Sequence, residues 1–360
     1  MNSKTIYASD NCGFISRPSV EKVNLATISK KQNQTIIFKN PVVVVGRMSV
    51  VGEKESKGPM GSYFQKSCSD DKMGEKNFER AEYDFLKTAI LGAIENANLS
   101  PRDIDVMLSG DLLNQITSSS YVARDLNIPY LGLYGACSTM CESLALGASL
   151  ISSGYYSNAV CATVSHFATA ERQFRYPLEY GCQRPPYAQW TTTASGATVI
   201  SSNGDGIKIK SATIGRVVDY AINDLNNMGA AMAPAAASSI ESLFKETCTK
   251  ASDYDLILTG DLGKLGSDIL RDLLKERGFE LGQNYIDCGC LMFDSTQKCY
   301  QGASGCGCSA SILNSFVFQQ MKENKYNRVA LFATGALMSS QSCFQGETIP
   351  GISHGIVFER

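Results

Sequence analysis

Histidine and long apolar runs are scarce in this sequence, and each shortage argues against a class of protein. Only two histidines occur among the 360 residues, which argues against a zinc site that depends on imidazole ligands. The 33 basic and 35 acidic residues give a formal charge of −2, so no general attraction to nucleic acid or to anionic lipid is predicted. There is no run of about 18 apolar residues and no basic start followed by an apolar stretch, which predicts neither a membrane-spanning helix nor a secretory signal.

Cysteine is plentiful by contrast, with thirteen residues. Without a secretory signal they indicate a reducing interior, where thiols pack as small hydrophobes, bind metals or carry out chemistry. Cys288-Gly-Cys290 and Cys306-Gly-Cys308 are each separated by a single residue, whereas zinc ligands are typically about two to four residues apart. We therefore predict packed thiols, no metal site and no cofactor.

An internal repeat indicates a duplicated α/β unit. Asp105-Val-Met-Leu-Ser-Gly-Asp111-Leu112 recurs as Asp255-Leu-Ile-Leu-Thr-Gly-Asp261-Leu262, and each copy ends an apolar strand before a loop into a helix. Gly135-Ala-Cys-Ser138 has a looser echo in Gly302-Ala-Ser-Gly305, again at the start of a helix rich in small residues. The alternation of strands and helices predicts parallel strands covered by helices. The two small-residue helices are expected to pack together at the centre.

The chain divides into three segments on this pattern. Residues 1–34 are polar and aperiodic, and we predict that they form an N-terminal extension. Residues 35–206 are predicted to form the first α/β half and residues 207–360 the second.

Cys137 is the candidate for chemistry, because it follows the strand Tyr130–Leu133 in a glycine-containing turn and opens a helix. Exposed backbone N–H groups and the helix macrodipole favour a thiolate at such a position, so we predict a lowered pKa and a raised reactivity. The alternative is a buried, inert thiol that packs as a small hydrophobe.

These motifs and the repeat resemble the thiolase superfamily, which includes the thiolases and the condensing ketoacyl synthases. The resemblance covers nearly the whole chain after the N-terminal extension. It implies a thiolase-like α/β fold of two duplicated halves, with mixed five-stranded sheets in a layered αβαβα arrangement, and it suggests a homodimer. It also places Cys137 at the nucleophile position and likens Gly302-Ala-Ser-Gly305 to the motif His-Pro-x-Gly-x-Ser-Gly of the second half.

The sequence departs from that family where catalysis needs its other groups. Cys299 stands where the motif has its catalytic histidine, and the turn at Asp261 replaces a His-Gln-Ala-Asn turn. Near the end, the segment from Thr348 to His354 replaces a Cys-x-Gly-Gly-Gly turn. Because condensation needs a base and an oxyanion partner beside the nucleophile, we predict a pocket that is retained and a chemistry that is lost.

Longer blocks are similar to the stage V sporulation protein AD family of endospore-forming bacteria. That resemblance implies binding of dipicolinic acid, as the free acid or with calcium, and assistance to its uptake into the developing spore. It further implies membrane-protein partners of the same system and a peripheral location at the inner spore membrane, with a connection to germination. The blocks are Gly110-Asp-Leu-Leu-Asn114-Gln, Tyr121-Val-Ala-Arg124, Ala168-Thr-Ala-Glu-Arg172-Gln-Phe-Arg175-Tyr-Pro, Met232-Ala-Pro-Ala-Ala-Ala, and Glu347-Thr-Ile-Pro-Gly-Ile-Ser-His354-Gly-Ile-Val-Phe-Glu359-Arg.

Two carboxylates on a flat ring call for guanidinium groups, hydroxyl or backbone donors and an aromatic face. His166, Arg172 and Arg175 supply such groups directly after the strand that follows the Cys137 helix. The alternative for the two arginines is an ion pair with Glu171 or Glu179 that fixes the loop. The complete set of predicted ligand-binding residues is Cys137, Ser138, His166, Arg172, Arg175, Ser304 and His354.

Three hypotheses about function remain open at this point. The first is a non-catalytic dipicolinate-binding component of a spore transport system. The second is a working acyltransferase that forms a thioester at Cys137, with His166 or His354 as the base. The third is a structural partner that docks to membrane proteins and uses its pocket only to sense occupancy.

Overall fold

The fold is described from a computed structural model that gives residues 33–174 and 184–360. The predicted extension, residues 1–34, lies outside the described residues except for Asn33 and Gln34. The strands are β1 Thr35–Ile37, β2 Val43–Val51, β3 Lys66–Ser67, β4 Val106–Asp111, β5 Tyr130–Gly132, β6 Asn158–Ser165, β7 Trp190–Thr191, β8 Ala194–Ser201, β9 Lys208–Thr213, β10 Leu256–Thr259, β11 Tyr285–Asp287, β12 Ala303–Ser304, β13 Arg328–Ala336 and β14 Gly351–Glu359.

The helices alternate with these strands, as the sequence predicted. None of the helices in the described ranges is both long and apolar enough to cross a bilayer. Their bounds are α1 Glu53–Ser56, α2 Phe78–Asn96, α3 Thr117–Leu126, α4 Thr139–Ser152, α5 Phe167–Phe174, α6 Met228–Thr247, α7 Gly263–Glu276, α8 Cys288–Met292, α9 Cys306–Ile312, α10 Phe318–Lys322 and α11 Ser340–Phe344.

Ten strands form a continuous path in the order β11-β10-β13-β14-β9-β2-β8-β6-β4-β5. From β2 outward the pairs are antiparallel, antiparallel, parallel and parallel. From β9 outward, through β14, β13, β10 and β11, the same series occurs. The two groups of five strands are joined by one residue pair between β2 and β9, Val43 with Lys208. The mixed five-stranded halves that the resemblance implied are therefore confirmed.

The helices form three layers around the two strand groups. In the middle, α4 packs against β6 of the first group and β14 of the second, and α9 packs against β8 and β6. Outside, α2 covers β2 and β8, while α6 covers β14 and β13. The Cys137 helix and the Ser304 helix are in contact, so the expectation of a central small-residue pair is met.

Two details bear on the predicted segments. The loop between β8 and β9 contains the predicted boundary at residues 206 and 207. Strand β1 pairs with β9, through Thr35 with Thr213 and Ile37 with Ser211. The start of the first predicted half thus contributes an edge to the second strand group.

Candidate functional site

Cys137 lies in a single turn, Ala136–Ser138, which joins β5 to α4. Ala136 has a φ of 50°, a left-handed conformation that residues with a Cβ rarely adopt. Strand β13 presses on this turn from the other half, because a Cβ added at Gly335 would stand 2.2 Å from the carbonyl oxygen of Gly135. Packing between the two halves therefore holds the thiol in place.

A buried carboxylate from the second half stands beside that thiol. Cys137 is 7% exposed, and its Sγ lies 4.0 Å from the Oγ of Ser304. The Ser304 hydroxyl donates to Asp261 Oδ2 at 2.9 Å. Asp261 also accepts from the backbone N–H of Gly305 at 3.1 Å and from the hydroxyl of Thr334 at 2.6 Å. Three donors thus surround the carboxylate of the second repeat copy.

The prediction of a lowered pKa for Cys137 was wrong. Burial, followed by the negative charge of Asp261, raises the pKa of this thiol well above its usual value, and the N–H of Gly305 opposes the rise only weakly. A helix terminus contributes about 0.3 to 1 kcal/mol at an exposed site, which is less than the cost of creating a second negative charge in a buried space. The thiol is therefore held in its neutral form.

The space in front of Cys137 is small. A cavity of about 30 Å³ is bordered by residues of both halves, and at about 10 to 15 Å³ per water it holds roughly two waters. An aromatic ring with two carboxylates cannot enter it in this conformation. The lining residues are Leu112, Tyr134, Ala136, Cys137, Ala170, Phe174, Thr191, Met228, Ser304, Gly305, Ala336 and Met338.

A larger cleft of about 560 Å³ lies outside this cavity and shares Leu112, Tyr134, Phe174 and Met338 with it. We call it the outer cleft. Its other lining residues are uncharged and mostly bear amide or hydroxyl groups: Leu113, Asn114, Gln115, Ile116, Gln173, Ser339, Ser340 and Gln341. Aromatic side chains and neutral hydrogen-bonding groups therefore line a cleft that adjoins the thiol cavity.

Among the predicted site residues, the structure brings together Cys137 and Ser304. Ser138 is buried at the same turn, where its hydroxyl donates to the carbonyl of Gly135 at 2.6 Å. It is not one of the residues that line the cavity. Its contact caps the turn instead of facing a ligand.

Both ring nitrogens of His166 are hydrogen-bonded to backbone groups. One ring nitrogen, Nε2, lies 2.8 Å from the carbonyl oxygen of Asp71, and Nδ1 accepts from the N–H of Ala168 at 3.2 Å. The ring packs against Phe78 and Phe85, and burial lowers its pKa. Because both nitrogens are engaged, His166 is not available as a base for Cys137.

His354 lies on β14, opposite Ala333 of β13. Its Nδ1 accepts from the N–H of Gly215 at 3.1 Å, and burial lowers its pKa to about 4. It does not line the thiol cavity or the outer cleft. The sequence could not show this, since the contact joins segments more than a hundred residues apart.

Arg172 also points elsewhere, and Arg175 lies outside the described residues. The guanidinium of Arg172 forms an ion pair with Glu79 of α2 and lies over the ring of Phe78. Arg172 therefore forms an ion pair, but with Glu79 and not with the predicted partner Glu171, and the other predicted partner, Glu179, lies outside the described residues. Glu171 pairs instead with Arg184, at 2.6 Å.

Four of the seven cysteines of the second half are buried, whereas Cys290 and Cys343 are half-buried and Cys248 is exposed. In the described part of the chain, no group of three or more His, Cys, Asp or Glu side chains is arranged to hold a metal ion. Cys288, Cys306 and Cys308 are fully buried. Cys299, at the position of the missing histidine, is buried with its Sγ 3.4 Å from the carbonyl of Gln297, and it does not line the cavity.

Several lining residues were not among those selected from the sequence. Tyr134 stands within the motif that contains Cys137 and could have been chosen on that ground. Asp261 was recognised as a substitution for a base but not as a neighbour of the thiol. Phe174 and Met338 carry no sequence signal of their own, because only the meeting of α5 with the end of β13 brings them to the cleft.

Fold and site together define a thiolase-like protein, and solved structures agree. The chain matches 3-oxoacyl-[acyl-carrier-protein] synthase III from Aquifex aeolicus with a TM-score of 0.54 at 11% identity, over 89% of this chain and 100% of that one. It matches acetyl-CoA acetyltransferase from Syntrophomonas wolfei with a TM-score of 0.58 at 11% identity, over 90% and 99% of the two chains. At this level of identity the likeness is one of fold.

Sequence comparison identifies the family. The profile of stage V sporulation protein AD matches residues 32–359. The chain is also 48% identical over 327 residues to stage V sporulation protein AD of Bacillus subtilis, which covers 91% of this chain and 97% of that protein. The chain belongs to the stage V sporulation protein AD family and is a sporulation protein with a thiolase-like fold.

Proposed function

We propose that this chain is a non-catalytic binding protein for dipicolinate and that it assists dipicolinate uptake into the developing spore. The observation that carries the proposal is the pairing of a small thiol cavity with a much larger cleft that adjoins it. The cavity beside Cys137 has a volume of about 30 Å³, which is smaller than dipicolinate needs, while the outer cleft of about 560 Å³ falls within the common range for small-molecule sites, about 300 to 1,000 Å³.

The chemistry of the outer cleft suits a flat ring with hydrogen-bond acceptors. Tyr134 and Phe174 offer aromatic faces for stacking. The amides of Asn114, Gln173 and Gln341 offer N–H groups to carboxylate oxygens. Because the described lining residues bear no charge, the neutral calcium chelate of dipicolinate suits this cleft better than the free dianion, whose desolvation would go uncompensated.

Calorimetric titration tests this proposal, with dipicolinate added in the presence and absence of an equal amount of calcium. We expect saturable binding that is tighter with calcium. Tyr134→Ala should weaken it about tenfold, since a lost aromatic contact costs about 0.5 to 1.5 kcal/mol beyond its buried area. Tyr155→Ala is the matched control, because Tyr155 is 77% exposed and does not line the cleft. No saturable heat in either condition would refute the binding function.

The groups beside Cys137 support the proposed absence of catalysis. A condensing nucleophile needs a nearby base and a donor pair for the thioester oxygen. Here the neighbour is Asp261, whose charge opposes thiolate formation. His166 is hydrogen-bonded to backbone groups, and His354 accepts a hydrogen bond from the backbone N–H of Gly215.

An acyltransferase is the second candidate, because Cys137 keeps the nucleophile position on a strained turn. Intact mass after exposure to acetyl- or malonyl-coenzyme A separates the two. We expect no adduct on wild-type protein. A stable adduct that disappears in Cys137→Ala would establish the acyltransferase instead.

We further propose a homodimer that forms through β5. This strand ends the sheet, and its outer edge pairs with no strand among the described residues. Leu131 in this strand is 43% exposed, and an unpaired strand edge is a template for pairing with a second copy. Light scattering should show a dimer that Leu131→Lys converts to a monomer and that Tyr155→Lys leaves intact.

The remaining proposal concerns location and partners. We propose that the protein acts at the inner spore membrane as a peripheral component, together with membrane proteins of the same dipicolinate system, and that germination involves it. Co-purification from forespore membranes with a crosslinker tests this, and recovery only in the soluble fraction would refute it.

A further inference from the structure

A second cavity lies at the seam between the two strand groups. Strands β2 and β9 meet at Val43 with Lys208, and the N–H of Val44 still donates to the carbonyl of Ile207 at 2.8 Å. Past that point β2 pairs with β8, and at its far end with β3, but no longer with β9. The resulting opening has a volume of about 580 Å³, and we call it the seam groove.

The seam groove has an excess of positive charge. Arg47, Lys322 and Arg360 line it together with Asp205, so these four side chains carry three positive charges and one negative charge. Within residues 33–174 and 184–360, no carboxylate forms an ion pair with any of the three cations. Lys322 and Arg360 are exposed, whereas Arg47 is half-buried. Because a partly buried charge without a counter-ion is costly, an anion beside Arg47 would be stabilising.

Arg47 is the best-placed of the three cations. Its Nη1 donates to the carbonyls of Asn314 at 2.6 Å and Ser315 at 2.9 Å, in a π-helical turn that spans Leu313–Val317. Gln65 donates to the same Asn314 carbonyl at 2.8 Å. These bonds fix the guanidinium but use only one of its nitrogens, which leaves Nε and Nη2 for a ligand.

Two further features mark the groove as a built site. Burial lowers the pKa of Arg47, which is the sign of a charge that its surroundings do not neutralise. Single π-helical turns occur frequently at functional sites, and Arg47 donates to two carbonyls of this one. The groove shares none of its lining residues with the thiol cavity or the outer cleft.

We propose that the seam groove binds a small polyanion that bears carboxylate or phosphate groups. Arg47 receives one anionic group in a forked contact, while Lys322 and Arg360, at the rim, hold a second. The volume fits a small molecule, about 300 to 1,000 Å³ being typical of such sites. A long acidic peptide would extend beyond it.

Phosphorus NMR and calorimetry test this on the full chain at low ionic strength, with inorganic phosphate and pyrophosphate as probes. Pyrophosphate should bind saturably and more tightly than phosphate. Arg47→Gln should weaken pyrophosphate binding more than tenfold and Lys322→Gln about fivefold, in line with loss of charge-assisted bonds. The matched control is Lys264→Gln, which removes an exposed lysine on α7 away from the groove and should change affinity less than twofold.

Lys322 is exposed, so Lys322→Gln should leave the unfolding temperature unchanged. Weaker pyrophosphate binding by this variant would therefore not result from misfolding. No saturable pyrophosphate binding would overturn the proposal, as would equal binding by wild type and Lys322→Gln. Binding of an acidic peptide without binding of pyrophosphate would also overturn it. Loss of pyrophosphate binding in Tyr134→Ala would assign the anion to the outer cleft and likewise contradict the separate site.

Discussion

Exchange of Asp261 for asparagine should make Cys137 more reactive. The variant removes a buried negative charge beside the thiol and keeps a side chain of nearly the same shape. Ser304 and Thr334, which donate to the carboxylate at 2.9 and 2.6 Å, can reorient their hydroxyls toward the new amide. With the charge gone, one of the causes that raise the thiol pKa disappears.

The size of the effect follows from two contacts. The Cys137 sulfur is 4.0 Å from the Ser304 hydroxyl, which is 2.9 Å from Asp261 Oδ2, so the sulfur and the carboxylate oxygen are at most 6.9 Å apart. With an effective dielectric of about 20, this largest separation gives a minimum of roughly 2.4 kcal/mol, or about 1.8 pKa units. Because a thiolate of lower pKa is less nucleophilic, about half of the gain on a logarithmic scale is lost, and the net increase in rate is about tenfold.

Alkylation by iodoacetamide measures this rate, with the modified Cys137 peptide quantified by mass spectrometry between pH 7 and 9. Asp111→Asn is the matched control, because Asp111 occupies the equivalent position in the first repeat copy and is likewise buried, with N–H donors from Leu113 and Ser119. Its exchange should leave the rate at Cys137 within twofold. Slower alkylation in Asp261→Asn would refute the reasoning, because it would mean that Asp261 deprotonates the thiol as a base.

Three further results are expected. Burial raises the pKa of Glu55 to about 8, so the folded state retains a proton that the unfolded state loses. The free energy of unfolding of Glu55→Gln should therefore rise relative to that of the wild type as pH increases from about 4.5 to 8, by at most about 5 kcal/mol. If urea unfolding shows no pH-dependent difference between the two proteins, this expectation is contradicted. Burial lowers the pKa of His354 to about 4. The neutral ring therefore contributes fully to the free energy of unfolding above about pH 6.5, and this contribution is lost as pH falls to about 4. The free energy of unfolding of the wild type minus that of His354→Gln should therefore shrink by about 3 kcal/mol as pH falls from about 6.5 to about 4. A constant difference in urea unfolding would argue against a buried neutral ring. Finally, Arg172→Ala should leave dipicolinate affinity within twofold in calorimetry, since Arg172 pairs with Glu79; a tenfold loss would return it to the binding site.

The internal repeat allowed the fold to be predicted from the sequence. Two copies of an apolar strand followed by Gly-Asp-Leu mark equivalent positions, and those copies became β4 and β10 with Asp111 and Asp261 at their ends. Strand and helix periodicity is local, so it survives without knowledge of tertiary contacts. Boundaries are less accurate: the β-branched run at residues 41–46 indicates a strand, and the observed strand β2 spans Val43–Val51.

The site was harder to predict from the sequence than the fold, because its properties arise from contacts between distant segments. A helix start predicted a thiolate at Cys137, but burial beneath β13 and the approach of Asp261, 124 positions along the chain, reversed the expected direction of the pKa. Arg172 finds its partner Glu79 across 93 positions. Spacing within the sequence records neither contact.

Residue type alone also misled the selection of histidines. Both were chosen because catalysis and ligand binding commonly use imidazole. Each instead accepts a hydrogen bond from a backbone N–H in the interior. Tyr134, in contrast, borders both the thiol cavity and the outer cleft, although it has no titratable role at neutral pH.

One titration tests the central claim that the outer cleft binds dipicolinate while Cys137 takes no part. Calcium dipicolinate is titrated into wild type, Tyr134→Ala and Cys137→Ala under identical conditions. We predict saturable binding to wild type, affinity within twofold for Cys137→Ala, and about tenfold weaker binding for Tyr134→Ala. Binding that is lost in Cys137→Ala and unchanged in Tyr134→Ala would contradict it.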